Sequence, residues 1–147
     1  MKYGTTVILA KIILGSAFLS SAPLHARELL AQFNTGGDDV RGGSRIDIRV
    51  DTQSGVQWFR NINRASSLPN GSFKEFTINV ANLSHPFDLN GVTIIHRSGN
   101  CTFCSYDNWS MSSFSLVTKD TKYPLLGHGF HRFRGNSPSL YIESPEF

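Results

Sequence analysis

Ile46, Ile48 and Val50 alternate with Arg45, Asp47, Arg49 and Asp51 in the clearest period-2 stretch of the chain. Such alternation predicts a strand with one buried face. Similar patterns recur along the sequence and predict strands at Leu29–Asn34, Arg45–Thr52, Val56–Arg60, Phe73–Val80, Val92–His96, Trp109–Thr118, Leu125–Phe133 and Ser139–Ile142. In the fourth, Phe76, Ile78 and Val80 share a face. Gln53-Ser54-Gly55 is a turn signal that makes a hairpin of the second and third strands. The segments 61–72, 82–91 and 97–108 are rich in Asn, Ser, Pro and Gly and are expected as loops, with Asn90-Gly91 as a turn. No stretch sustains a helical period. About eight short strands with turn chemistry between them predict an all-β, single-domain antiparallel sandwich.

The first 26 residues do not fit this pattern. Lys2 and Lys11 precede the apolar run Ile12–Leu19, and small residues then lead to Ala26. This is the layout of a secretory signal peptide cut after Ala26, leaving a domain over 27–147. The apolar run falls short of the roughly 20 residues a spanning helix needs. The intact chain has 147 residues and a net charge of +3. Without its first 26 residues it holds 12 basic and 11 acidic residues, so nothing in its charge calls for nucleic acid. Export also implies an oxidising compartment, in which Cys101 and Cys104 are expected to form a short-range disulfide. Catalytic use of that pair would need a helix N-terminus, and both flanks read as loop and strand. Zinc would need further ligands, with His96 and Asp107 nearest in sequence.

Between the first two strands lies the glycine-acid segment Thr35–Ser44, which contains Gly36, Gly37, Asp38, Asp39, Gly42 and Gly43. Adjacent carboxylates sit in solvent, face arginines or hold a hard cation. Asp38, Asp39, Asp107 and Asn108 are therefore candidate calcium ligands. The alternative is that Asp39 and Asp107 cap turns or pair with Arg41 and Arg45. His128 and His131 stand at odd spacing on one expected strand, which sends them to opposite faces. No serine occupies a Gly-x-Ser-x-Gly elbow, so a hydrolase triad has no anchor.

Two pieces of the chain carry a resemblance. The first is Thr35-Gly36-Gly37-Asp38-Asp39-Val40-Arg41-Gly42-Gly43-Ser44 before an alternating strand. The second is a strand ending in His96, then a glycine-bearing loop, Tyr106-Asp107-Asn108-Trp109-Ser110-Met111 and another strand. Together they resemble the PLAT/LH2 β-sandwich domains of lipases and lipoxygenases, in particular their secreted bacterial relatives. The likeness runs roughly from Leu30 to Gly135. The chain departs from the pattern at Arg97, where the family has an acidic residue, and at the cysteine pair. The resemblance implies two four-stranded sheets and a normally non-catalytic domain that binds proteins, lipids or membrane surfaces, sometimes with calcium.

The expectation is thus a secreted or periplasmic bacterial binding module, monomeric, with calcium as its one candidate cofactor. It would recognise a lipid surface, a glycan or a protein through the loops bearing Asp38, Asp39 and Asp107. Phe73, Phe87 and Phe103 lie in or beside expected loops and are candidate surface aromatics. The competing readings are a small hydrolase using loop Asp or His residues and a purely structural envelope protein.

Overall fold

A computed structural model describes residues 26–99 and 106–145. Among these residues, nine strands run in the order β1 (Arg27–Thr35), β2 (Arg45–Thr52), β3 (Gly55–Phe59), β4 (Phe73–Val80), β5 (Leu89–Arg97), β6 (Trp109–Thr118), β7 (Pro124–His128), β8 (His131–Phe133) and β9 (Ser139–Glu143). One 3-10 turn, Pro86–Asp88, precedes β5. Every pairing between strands is antiparallel. One sheet has the order β4-β1-β6-β7, with β8 also on β6; the other has β3-β2-β5-β9. The expected all-β sandwich is therefore the observed fold.

The alternating positions supply the layer between the sheets. Ile46, Ile48 and Val50 are fully buried, facing Phe33, Ile78, Val80, Trp109 and Leu116 in one core. Phe33 is its aromatic hub, 5.0 Å from Phe114 and 5.6 Å from Trp109 between ring centroids. Trp109 in turn stacks on Phe133 at 4.8 Å. Truncating Phe33 to alanine would cost about 3–5 kcal/mol through lost transfer energy and the cavity left behind.

Three local departures from the sequence reading have physical causes. Leu125–Phe133 is two strands, broken at Gly129-Phe130. Both halves nevertheless keep one register on β6, with Phe114 opposite His128 and Met111 opposite His131. The buried positions of β6 switch phase at Ser112-Ser113, opposite this break: Trp109 and Met111 precede it, Phe114 and Leu116 follow. The change of facing coincides with a bulge of β6 against β1, where Asn34 opposes Ser113 and Thr35 opposes Met111, leaving Ser112 as the extra residue. His128 and His131, expected on opposite faces, consequently lie 6.3 Å apart between ring centroids.

Asn90-Gly91 is not a turn but the start of β5, because Tyr141 of β9 lies across Gly91. The third departure is Asp47. It was expected on the solvent face of β2, yet it is buried, accepting from the Asn61 amide at 2.8 Å and from Arg97 Nε at 2.7 Å.

Candidate docking site at the loop end

Strand direction sorts the loops into two ends. β1, β3, β5 and β8 finish, and β2, β4, β6 and β9 begin, at one end of the sandwich. The segments 36–44, 60–72, 98–108 and 134–138 therefore gather there, as far as they are described.

The glycine-acid segment is held mainly by its backbone. The Gly36 amide donates to Ser110 O at 2.6 Å, and the Ser110 amide donates to Asp38 O at 3.0 Å. A Cβ on Gly36 would stand 3.0 Å from both Ser110 O and Ser112 Oγ, so glycine lets the segment lie against β6. Val40 is buried and exchanges both backbone hydrogen bonds with Leu68. Gly43, at φ +90°, donates to Ala65 O, and Ser44 Oγ accepts from the Gly99 amide at 3.0 Å.

Asp107 ties these loops together. Its side chain is buried; Oδ2 accepts from the Arg41 amide at 3.0 Å, and Oδ1 lies 3.2 Å from Arg41 Nε. His96 Nε2 lies 3.4 Å from Asp107 Oδ2, and the imidazole is sealed among Tyr106, Trp109 and Phe133. Burial lowers the His96 pKa below its ordinary 6.5, outweighing the upward pull of Asp107. His96 is therefore a neutral imidazole at pH 7.

The predicted site residues divide as follows. Asp38 pairs with Arg132 at 2.8 Å. Asp39 and Asn108 are half-buried, and their side chains make no ion pair or hydrogen bond among the described residues. Among the described residues, no three His, Cys, Asp or Glu side chains converge as a metal site would require. Asp107 is committed to Arg41 and lies beside His96. Phe73 is exposed on the rim of this end. Phe87 is equally exposed but sits at the opposite end, where its carbonyl accepts from Gln53 Nε2. Cys101, Cys104 and Phe103 lie outside the described residues.

Sequence reasoning missed the cations. Arg41, Arg45, Arg60, Arg64, Arg97, Arg132 and Arg134 all stand at this end, with Asp38, Asp39, Asp47 and Asp107. That is a surplus of three positive charges. Asp107, Asp47 and Asp38 occupy Arg41, Arg97 with Arg60, and Arg132. Arg45, Arg64 and Arg134 are exposed and make no side-chain ion pair or hydrogen bond among the described residues. Arg45 also lies directly opposite Arg97 in the β2–β5 ladder, where Asp47 balances Arg97 and leaves Arg45 without a counter-ion among the described residues. The signal was present, but spread over nearly a hundred residues.

No family model and no curated protein matches the sequence. Solved structures do match. Alpha-toxin from Clostridium perfringens superposes with a TM-score of 0.63 at 16% identity, over 80% of this chain and 31% of the toxin. A lipoxygenase variant gives 0.59 at 14%, and a lipoxygenase variant in complex with arachidonate gives 0.56 at 13%. Each of these two alignments covers 83% of this chain and 17% of the lipoxygenase. The chain thus spans under a third of the length of these proteins, and the likeness is one of fold. That fold is the PLAT/LH2-type β-sandwich.

Proposed function

We propose that this chain is an exported, non-catalytic module that docks its arginine-rich loop end on an anionic lipid surface. The observation that carries the reading is the surplus of cations at one end, three of them unpaired among the described residues, with the exposed Phe73 on the same rim. Arginine forks match phosphate oxygens, and a basic residue near an anionic membrane contributes about 1 kcal/mol. Phe73 adds an apolar ring able to enter the interface. A hydrolase is less well supported, because the His96–Asp107 pair is sealed from solvent. Export rests on the N-terminal signal pattern, and β1 begins at Arg27, directly after the expected cut.

The test is flotation of mature protein with phosphatidylcholine vesicles, with and without phosphatidylserine, at low and high salt. Binding is expected only to the anionic vesicles and should weaken as salt shortens the screening length. Changing Arg45 and Arg64 together to alanine should cost about 2 kcal/mol, or roughly thirtyfold. A chelator arm tests the calcium assistance that the family resemblance implies. Binding that persists in chelator is the expected result; binding that needs calcium would transfer the role to Asp38 and Asp39. Equal binding to neutral vesicles, or none at low salt, would overturn the proposal.

A further inference from the structure

At the end opposite the loop cluster, β5, β9 and the 3-10 turn border an open, shallow cleft of about 600 Å³, lined by Phe87, Leu89, Asn90, Tyr141, Glu143 and the adjoining Ser144-Pro145. Its floor is unusual for a sheet surface. Tyr141 lies over Gly91: a Cβ there would stand 2.5 Å from the Tyr141 hydroxyl and 2.8 Å from its Cε2. The absence of a side chain at Gly91 lets the ring settle against the backbone. The Tyr141 hydroxyl reaches Asn90 O at 3.5 Å, and 53% of the residue remains exposed. Phe87 forms a wall, carried on a turn fixed at both ends of its cap, where the His85 amide donates to Asp88 Oδ2 at 2.7 Å and the Phe87 amide to His85 Nδ1.

The polar groups around these rings are uncommitted. The side chains of Asn90, Glu143 and Ser144 make no hydrogen bond or ion pair among the described residues. Asn90 offers donors and an acceptor, Glu143 a pair of acceptors, Ser144 a hydroxyl. No lysine or arginine lines the cleft. The volume lies within the range of small-ligand sites.

We propose that this cleft binds a neutral oligosaccharide. A sugar ring has an apolar C–H face and an equatorial girdle of hydroxyls. The C–H face suits the electron-rich face of an aromatic ring, and the hydroxyls suit an amide, a carboxylate and a hydroxyl at its edge. A purely apolar ligand would bury Asn90 and Glu143 without partners, at a cost of about 1–3 kcal/mol each. An acidic sugar would meet the Glu143 carboxylate with no cation to balance it. The site is independent of the arginine end, so either can fail without the other.

The experiment is a panel of immobilised neutral and acidic oligosaccharides probed with mature protein, followed by calorimetry on the best binder. Binding to a neutral member is expected. Tyr141→Ala should lose about tenfold in affinity, whereas Tyr141→Phe, which keeps the ring, should hold within about threefold. The Arg45→Ala/Arg64→Ala protein should bind the sugar normally. The proposal is overturned if no member binds at millimolar concentration, if only acidic members bind, or if Tyr141→Ala binds like the parent. Tyr141 is half exposed, so its truncation leaves the core intact, and an unchanged melting temperature verifies this.

Discussion

Burial keeps His96 uncharged, and that makes stability depend on pH in a definite direction. Its folded pKa is lowered, so the unfolded chain binds the proton more readily. Stability is then full above the unfolded value near 6.5 and declines as pH falls below it. His131, lowered by burial and then by His128, pulls the same way. Thermal melts should drop by a few degrees between pH 7.5 and 5, and His96→Gln should flatten part of that drop. The carboxylates separate just as clearly. Asp107→Ala would orphan the Arg41 amide and should cost about 1–3 kcal/mol in urea unfolding. Asp39→Ala, which removes no hydrogen bond among the described residues, should stay within about 0.5 kcal/mol. In the sequence both are aspartates in glycine- or asparagine-flanked loops. What distinguishes them is that Asp107 meets Arg41, in a loop 66 positions away, and no local pattern encodes that.

At the scale of elements, alternation is strong evidence where one face is buried and weak where a neighbour intervenes. The phases of β2 and β4 were readable because Ile46, Ile48, Val50, Ile78 and Val80 all meet the opposite sheet. The start of β5 was not, because Asn90-Gly91 looks like a turn unless one knows that Tyr141 lies above it. Nor was the break between β7 and β8, which answers a phase change in β6 that serine residues leave unmarked. Loop glycines differ in the same non-local way. A Cβ on Gly99 would stand 2.9 Å from the Gly43 carbonyl carbon, backbone that cannot swing aside, whereas Gly37 has nothing within 4 Å. Gly99→Ala should therefore cost about 1–3 kcal/mol and speed proteolysis within 36–44, while Gly37→Ala should do neither.

Over the whole molecule the charge is polarised. The loop end carries seven arginines and four aspartates, while the remainder of 27–147 holds five basic and seven acidic residues. A net charge near zero thus conceals a dipole along the strands, which composition cannot reveal because it has no positions in space. Such a dipole should orient the approach to an anionic surface, and association rates should fall steeply as salt is raised. The path of the chain adds something practical. β1 starts and β9 stops at the pole away from the arginines. Anything spliced on before Arg27 or beyond Pro145 would hang behind the module like a handle. A fluorophore, a surface tether or a cargo domain placed there would leave the arginine face pointing outward, and an immobilised array of such fusions would present every copy in the same orientation.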